Sequence, residues 1–401
     1  MPGSARYGVG LIGCGNIGVS RHLPAWLERP AGFRLIAIAD PTPARLEVGR
    51  AAAGLQPRDA HLAVEDLLDR DDIHVVDVCV PPRLRRDIVI AAARAGKHVL
   101  AEKPLATVPA DAAAMIAAAD SSGVKLGVVH NYLFFPEIAR ARQVIASGRI
   151  GRVEVAILNY LGAMDHPGAA AYQPTWRHDP GQSGGGVLMD LLHVVYLAEA
   201  LLGEPIERVS AYVTARNRNS GVEDLALCRF EAADSVAIVN VGWGVGPGGI
   251  EISGTTGRLA IRYEGGGTSP FAPFEELVIV DERGSRSVDV PPDNGFLERA
   301  IVDFAESIAG DRTPIAPGEQ GLHILEATVG AYKSAATGRT ITLPLDRADP
   351  MFQRGVGGVM ELDIPAWSPI RSNGIFGVRA TSPEATPTPD EWPRHDTTVV
   401  N

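Results

Sequence analysis

The sequence is poor in cysteine, in aromatic residues and in basic charge. Its 401 residues include three cysteines, aromatic residues make up 6%, and the formal net charge is −11. Cys14, Cys79 and Cys228 lie far apart and form no C-x-x-C pair, which excludes a disulfide framework and a zinc site of the usual spacing. We therefore expect no metal, and we expect a reducing, cytoplasmic compartment.

The charge balance and the short apolar runs exclude two further classes. A nucleic-acid partner requires clustered Lys and Arg residues, and this chain has 37 basic residues against 48 acidic ones. No apolar stretch approaches the roughly 20 residues needed to cross a bilayer. The first apolar run starts at Tyr7, which leaves no room for a signal peptide. We expect no nucleic-acid partner and no membrane association.

Short apolar runs alternate with helical patterns in the first third of the chain, which predicts βαβ units and a parallel sheet with helices on both faces. The predicted strands span residues 7–13, 33–40, 74–80, 97–101 and 125–129. The predicted helices span residues 16–29, 43–54, 62–69, 84–95 and 109–122. This part is therefore expected to be an α/β domain over residues 1–130.

Strand-like runs dominate the next part of the chain, which predicts an α+β domain over residues 131–345 with a large, mainly antiparallel sheet built from meanders. The predicted strands span residues 152–161, 206–215, 224–231, 235–242, 249–253, 257–263, 276–280 and 286–290. One helix should begin after Gly186, and two more should span 294–309 and 318–337, the last packing back on the first domain.

The end of the chain has a different composition. Residues 346–378 form a C-terminal extension, and we expect its part from 349 to pack on a neighbouring subunit or over the site. Residues 379–401 are rich in Pro, Thr, Ser and charge, which predicts a disordered tail.

The most informative motif spans residues 13–18 and reads Gly-Cys-Gly-Asn-Ile-Gly after a strand-like run. Gly13 allows a tight turn, Gly15 lets backbone approach a pyrophosphate, and Gly18 lets the following helix pack close to the strand. The next strand ends in Asp40, about 20 residues beyond the last glycine. This order predicts a dinucleotide-binding unit with phosphates at the helix N-terminus. The alternative is a glycine-rich turn in another kind of α/β protein.

Asp40 favours NAD over NADP, because its carboxylate can accept a hydrogen bond from the ribose 2′-OH and would repel a 2′-phosphate. Arg45 lies nearby in the sequence and keeps NADP possible. Asn16, Ile17 and Pro81 are further predicted contacts to the cofactor.

A second motif, Glu102-Lys103-Pro104, follows an apolar run of the first sheet. Because ligands bind at the carboxyl ends of parallel strands, Lys103 should point toward the nicotinamide region. A lysine there can bind a substrate hydroxyl, or transfer a proton if burial lowers its pKa. Glu102 can contact the cofactor ribose or form a salt bridge. The alternative for Lys103 is a solvated side chain at a strand end.

A third cluster holds Asp190 and His193, which are three residues apart on a predicted helix and should share one face. A carboxylate beside an imidazole can act as a general acid/base pair for a hydroxyl proton. Trp176 and Arg177, just upstream, are candidate substrate contacts. The alternative is a histidine capped by a neighbouring acid inside a domain interface.

His130 and Asn131 follow the last strand of the first sheet and should lie at the same sheet edge. We expect His130 to contact substrate and Asn131 to contact the cofactor. The alternative is ordinary turn chemistry, with Asn131 bonding its own backbone.

These clusters, in this order, resemble the Gfo/Idh/MocA oxidoreductase family over about residues 6–345. The resemblance implies a Rossmann domain followed by an open, mainly antiparallel sheet through which members form homodimers or homotetramers. It implies that Lys103 is the catalytic lysine, Asp190 the acid near the substrate and His193 the catalytic histidine. The family usually spaces that acid and histidine by four residues. Here either His193 is displaced or the helix is locally irregular.

We therefore predict an NAD(P)-dependent dehydrogenase or reductase. It would transfer hydride between nicotinamide and a secondary alcohol or ketone of a sugar, sugar derivative or cyclitol. His193 is the expected base, with Lys103 and Asp190 in support, and the reverse assignment of His193 and Lys103 stays open. One alternative is a glycosidase or epimerase that retains NAD and oxidises its substrate transiently. The other is a non-catalytic dinucleotide-binding regulator, which the presence of all three residues disfavours.

Overall fold

The computed structural model describes residues 7–28, 30–165, 175–216, 221–244, 246–268, 271–292 and 295–379. The predicted disordered tail lies outside the described residues, apart from its first residue. Among the described residues, no single helix is both long and apolar enough to cross a bilayer, although the bent pair 180–190 and 193–202 meets that length and composition together.

The first sheet is parallel and, within the described residues, six-stranded, in the order β3-β2-β1-β4-β5-β6. Its strands are β1 Tyr7–Ile12, β2 Phe33–Ala39, β3 Ala60–His61, β4 Val75–Val78, β5 His98–Ala101 and β6 Leu126–Val128. All four residues of β4 are buried, as expected of a central strand covered by helices on both faces. The strand order changes direction between β1 and β4, which opens a crevice at their carboxyl ends.

Helices predicted in this first part are present with shifted ends. They are α1 Leu23–Leu27, α2 Pro43–Ala53, α3 Val64–Leu68, α4 Pro82–Arg94 and α5 Pro109–Ser122, followed by α6 Pro136–Ala146, which was not predicted. The predicted helix 16–29 begins at residue 16 as expected, but Gly18–His22 forms a π-helical turn before α1. Pro24 has no N–H to give to Ser20, so a regular α-helical bond is impossible there.

The second sheet contains nine strands within the described residues, in the order β14-β13-β12-β11-β7-β10-β9-β8-β15. They are β7 Val153–Ala163, β8 Arg208–Thr214, β9 Leu225–Glu231, β10 Val236–Trp243, β11 Gly248–Gly254, β12 Arg258–Tyr263, β13 Phe274–Asp281, β14 Gly284–Val288 and β15 Ile341–Thr342. Burial alternates along β9, so one face of the sheet packs inward and the other is open. The sheet is mostly antiparallel as predicted, but it is not built from meanders alone, because β10 pairs with β7 in parallel.

Five further helices of the described part of the chain lie between strands of the second sheet in the chain order. They are α7 Pro180–Ser183, α8 Val187–Asp190, α9 His193–Leu202, α10 Phe296–Ala309 and α11 Gly318–Thr337. Helix α10 packs on the first sheet, where its Leu297, Ile301 and Phe304 join Val9 and Leu11 in one buried cluster. Helix α11 contacts both α5 of the first part and β8 of the second sheet.

The C-terminal extension packs on its own chain. Its helices are α12 Pro350–Arg354 and α13 Pro369–Asn373. Val359, Ile370 and Ile375 are fully buried, and the N–H of Phe376 donates to the carbonyl oxygen of Gly221 at 3.0 Å. Within a single chain the extension therefore belongs to a buried core that includes residues of both sheets.

Candidate active site

A cavity of about 1390 Å³ opens at the carboxyl ends of the first sheet, facing the junction of α8 and α9. Most of the residues predicted for the site line this cavity. They are Gly13, Gly15, Asn16, Ile17, Asp40, Pro81, Glu102, Lys103, Asn131, Trp176, Arg177, Asp190 and His193. Two predicted residues do not line it, Gly18 and His130. The glycine turn and the Glu102-Lys103-Pro104 motif both follow strands of the first sheet, and they therefore meet at one site.

The glycine turn has the shape that a dinucleotide requires. Gly13 has a φ of +101°, and a Cβ there would lie 2.7 Å from the carbonyl oxygen of Cys79. A Cβ on Gly18 would lie 2.2 Å from the carbonyl oxygen of Gly13, so the helix can approach the strand only with glycine there. A Cβ on Gly15 would meet no atom within 4 Å, because this backbone faces the open cavity. The turn therefore leaves its backbone accessible to a pyrophosphate.

Asp40 closes this turn from the end of β2. Its Oδ2 accepts from the N–H of Cys14 at 2.9 Å, and its Oδ1 accepts from the N–H of Thr42 at 2.8 Å. The Arg45 side chain lies 3.4 Å from Oδ1 and is half exposed. Each carboxylate oxygen has a second lone pair, so Asp40 can still accept a hydrogen bond from a ribose hydroxyl.

Lys103 reaches from the end of β5 across the cavity to α8. Its Nζ donates to the carbonyl oxygen of Asp190 at 2.6 Å and lies 3.9 Å from Asp190 Oδ1. Burial lowers the pKa of Lys103, while the charges of Asp190 and Glu102 oppose that shift. Arg177 Nη1 also donates to Asp190 Oδ1, and its guanidinium lies over the Trp176 ring at 5.1 Å. Asp190 thus holds Lys103 through its backbone carbonyl and Arg177 through its carboxylate at one end of the cavity.

Asp190 and His193 do not form the predicted acid–imidazole pair. The helix breaks at Leu191, whose φ of −104° and ψ of 35° are not helical, and the segments before and after the break meet at 43°. Asp190 ends α8 and His193 begins α9. The expectation of one continuous helix is therefore wrong, and the three-residue spacing coincides with a locally irregular helix.

His193 is held by aromatic neighbours instead. Its Nδ1 lies 2.6 Å from the hydroxyl of Tyr196, and its ring stacks on Tyr132 with centroids 3.8 Å apart. Burial, together with the charges of Lys103 and His130, lowers the pKa of His193 well below its ordinary value. The imidazole is therefore neutral at physiological pH.

Two family models match the chain. One, described as an oxidoreductase family with an NAD-binding Rossmann fold, covers residues 7–130, and the other, the GFO/IDH/MocA C-terminal domain, covers residues 138–260. A relative, 1,5-anhydro-D-fructose reductase of Ensifer adhaerens, is 32% identical over 295 residues, which are 69% of this chain and 82% of the relative. The chain belongs to the GFO/IDH/MocA oxidoreductase family.

Solved structures agree with the family and with the predicted fold class. Aldose–aldose oxidoreductase from Caulobacter crescentus, complexed with glycerol, has a TM-score of 0.74 and 26% identity, and the match covers 84% of this chain and 100% of that one. Levoglucosan dehydrogenase in complex with NADH has a TM-score of 0.73 and 25% identity, over 85% of this chain and 100% of that one. The predictions of an NAD-binding Rossmann domain, of a mainly antiparallel second sheet and of an oxidoreductase are confirmed.

In this family member, a buried ion network lies beneath Lys103. His22 Nδ1 lies 2.7 Å from Asp77 Oδ2, and His22 Nε2 lies 2.9 Å from Glu102 Oε1. Trp26 Nε1 also donates to Asp77 at 2.7 Å. Burial opposes charge on His22, but Asp77 holds the pKa of His22 well above its ordinary value. Glu102 forms the salt bridge to His22, its Oε2 accepts from the N–H of Lys103, and the residue also lines the cavity.

The same network contains atoms of the kind that bind metals. One ligand atom each of His22, Asp77 and Cys79 lie within 4.8 Å of one another. Both ring nitrogens of His22 are engaged by carboxylates, so no lone pair is left for an ion. The cluster fits a buried salt bridge better than a metal centre.

The glycine-rich start of α8 is held by Glu223, which sequence reasoning missed. Its carboxylate accepts from the N–H groups of Gly186 and Leu188 at 2.7 and 3.0 Å, and from the hydroxyl of Tyr332 at 2.8 Å. Burial raises the pKa of Glu223 to about 7. No motif could reveal it, because Glu223 lies more than 30 residues beyond the helix that it positions.

His130 is placed differently from the prediction. It is fully buried and stacks on Tyr196 with centroids 4.2 Å apart. Burial lowers the pKa of His130 to about 3. Its side chain supports the wall behind His193 and does not face the cavity, whereas its neighbour Asn131 does.

Proposed function

We propose that this protein is an NAD-dependent oxidoreductase that interconverts a secondary alcohol and a ketone on a sugar, sugar derivative or cyclitol. The observation that carries the proposal is the convergence of Lys103, Asp190 and His193 on one cavity with the open glycine turn. These three polar groups differ in chemistry and line one cavity, and we place the substrate oxygen among them. Such a cluster suits proton transfer at a hydroxyl.

A bound nicotinamide dinucleotide would supply the hydride acceptor or donor, with its pyrophosphate on the backbone of Gly15 and Asn16 and a ribose on Asp40. Side chains of the protein would accept or donate the proton of the substrate hydroxyl. Lys103 has a lowered pKa and is fixed by Asp190, so its Nζ can exchange a proton with a hydroxyl. His193 is neutral and lines the cavity beside it.

The substrate class is supported by the neighbours of Asp190. Arg177 and Trp176 line the same end of the cavity, where a guanidinium can donate to hydroxyl or carboxylate oxygens and an indole can pack on a sugar face. The relatives named above are a reductase of an anhydro-sugar, an aldose–aldose oxidoreductase and a levoglucosan dehydrogenase. We therefore place the substrate among sugars and polyols.

We also propose that copies of this chain associate through the open face of the second sheet. Ile157, Tyr212 and Leu227 lie on that face and are exposed by 36%, 48% and 39%. Leu227 stands opposite Tyr212 in the register of β8 and β9. Apolar side chains grouped on one sheet face suit contact with an identical face.

The first test combines binding with turnover. Purified protein should quench or shift the fluorescence of NADH on binding, and a screen of sugars and cyclitols with NAD should generate absorbance of the reduced cofactor. Lys103→Ala and His193→Ala should each lower kcat by roughly 10²-fold or more, because each removes a polar group at the reacting oxygen. Lys125→Ala, which removes a lysine outside the cavity, should leave kcat unchanged. Absence of NADH binding, or near-wild-type rates in both site variants, would refute the proposal.

A second candidate is an enzyme that keeps its cofactor and oxidises the substrate only transiently. One neighbour is named for two aldoses, which fits a reaction between two sugars. In that case the protein as purified would convert its sugar substrate without added NAD and would release no net NADH. The same screen, run without cofactor and with sugar products analysed by chromatography, separates the two candidates.

A further inference from the structure

The hydroxyl of Tyr196 lies between two nitrogen atoms behind His193. Its oxygen accepts from the N–H of Tyr132 at 3.0 Å and lies 2.6 Å from Nδ1 of His193. Tyr196 is fully buried, and within the described part of the chain its hydroxyl has no third hydrogen-bond partner. Nδ1 of His193 is therefore the acceptor that remains for the hydroxyl proton.

This geometry selects one tautomer of His193. A nitrogen that accepts a hydrogen bond carries no proton, so in a neutral imidazole the proton must lie on the other nitrogen. If Nδ1 were the donor instead, the Tyr196 proton would be buried without an acceptor, which is a substantial penalty. The charged form would carry the same penalty, because both of its nitrogens are donors.

Two contacts hold the ring of His193 in one orientation and leave Nε2 as the nitrogen available to the cavity. Stacking on Tyr132, at 3.8 Å and 13° between ring planes, fixes the ring plane of His193. Nδ1 is turned to Tyr196, and His193 is one of the residues that line the cavity. Among the described residues, Nε2 of His193 has no hydrogen-bond partner.

We propose that Tyr196 fixes His193 as the neutral tautomer protonated on Nε2, so that the imidazole offers the cavity a hydrogen-bond donor and not a base. Tyr196 is a positioning residue, acting through His193. The catalytic consequence rests on the proposed function: the proton-transfer group is Lys103, and His193 polarises the substrate oxygen. In the oxidative direction the hydroxyl O–H bond breaks and its proton joins Nζ of Lys103, a step that requires Lys103 to be in its neutral amine form. A bound nicotinamide would supply the acceptor for the hydride that leaves the substrate carbon, and His193 Nε2 would donate to the new carbonyl oxygen.

The tautomer can be measured without substrate or cofactor. In protein labelled with ¹⁵N-histidine, the chemical shifts and couplings of the ring nitrogens distinguish a protonated from an unprotonated nitrogen, and His193→Gln assigns the signal by its loss. We expect His193 to be neutral with its proton on Nε2, and we expect Tyr196→Phe to abolish that preference. A wild-type His193 that is charged or protonated on Nδ1, or an unchanged tautomer in Tyr196→Phe, overturns the proposal.

Kinetics then test the catalytic consequence. Tyr196→Phe should lower kcat by about tenfold, the effect of one hydrogen bond, with little change in the KM for NADH. The matched control is Tyr263→Phe, which removes another buried hydroxyl that bonds Glu137 outside the cavity. It should leave kcat unchanged.

His193→Gln and His193→Ala separate a donor from a base. Glutamine keeps an N–H donor but cannot accept a proton at neutral pH. We expect His193→Gln to retain at least about tenfold more kcat than His193→Ala, and equal loss in both variants overturns the donor role. If instead the protein binds no NADH and turns over no sugar, the proposed function fails, and the ¹⁵N measurement still decides the tautomer.

Discussion

Asp40 has two roles, because its carboxylate accepts hydrogen bonds from the glycine turn and also lies at the cavity. Both oxygens accept from backbone N–H groups of the turn, yet the residue lines the cavity beside Arg45. Asp40, the acidic residue that follows β2, is therefore a structural part of the glycine turn. Cofactor selectivity and local structure are coupled at this one residue.

Asp40→Ser should shift cofactor preference from NAD toward NADP. The change removes the acceptor for a ribose 2′-OH and the charge that repels a 2′-phosphate, and it leaves Arg45 free to bind that phosphate. We expect the ratio of kcat/KM for NAD over NADP to fall by roughly tenfold or more. The ratio is informative because a loss of packing in the turn would weaken the binding of NAD and of NADP alike. An unchanged ratio would remove Asp40 from cofactor selection.

At the scale of elements, the break between α8 and α9 decides what the catalytic cluster can be. It separates Asp190 from His193, so that the carboxylate of Asp190 faces Arg177 and Lys103 and the imidazole of His193 faces Tyr196. A continuous helix would have placed the two side chains on one face. The break depends on how each short helix is held at its ends, and Glu223 holds the first of them.

Glu223→Gln should destabilise the fold and slow turnover together. Both carboxylate oxygens accept from backbone N–H groups of α8, so the amide of glutamine would place N–H against N–H. We expect a loss of about 1–3 kcal/mol in the free energy of unfolding, with a lower kcat because Asp190 is displaced. Denaturant unfolding and steady-state rates would measure both. Glu137→Gln, at a buried carboxylate outside the cavity, should cost stability only.

The stability that Glu223 contributes should depend on pH with a definite sign. The pKa of Glu223 is raised from 4.5 to about 7 in the folded state. The unfolded chain therefore releases this proton at lower pH than the folded chain does. The stabilisation by Glu223 is complete below about pH 4.5 and declines as pH rises toward about 7. The stability difference from Glu223→Gln should shrink over the same range, and a difference that grows with pH would contradict this account.

At the scale of the whole molecule, segments far apart in the chain complete each layer. Helix α10, which follows the second sheet, covers one face of the first sheet through Leu297, Ile301 and Phe304. The C-terminal extension places Phe376 against Tyr332, whose hydroxyl holds Glu223. The extension is thus linked to the site through two contacts within one chain.

Association of copies should depend on the open sheet face. Leu227→Lys, alone or with Ile157→Lys, should shift the particle mass measured by light scattering toward that of one chain, because buried ammonium groups would face each other across the contact. Ile315→Lys, at an apolar residue of similar exposure on another surface, should leave the mass unchanged. A wild-type protein that is already a single chain in solution would contradict the proposed contact.

The sequence was sufficient where structure follows from neighbouring residues. The glycine turn, the acid at the end of β2 and the strand-end lysine all depend on one βαβ unit or one strand, so periodicity and short motifs located them, and with them the cavity. Sequence was insufficient where packing joins distant segments. The pairing of β10 with β7, the helix break, the His22 network and the tautomer-setting hydroxyl of Tyr196 all depend on contacts between elements. Their energies arise only after both sheets and their helices have packed, which is why the tertiary structure decided them.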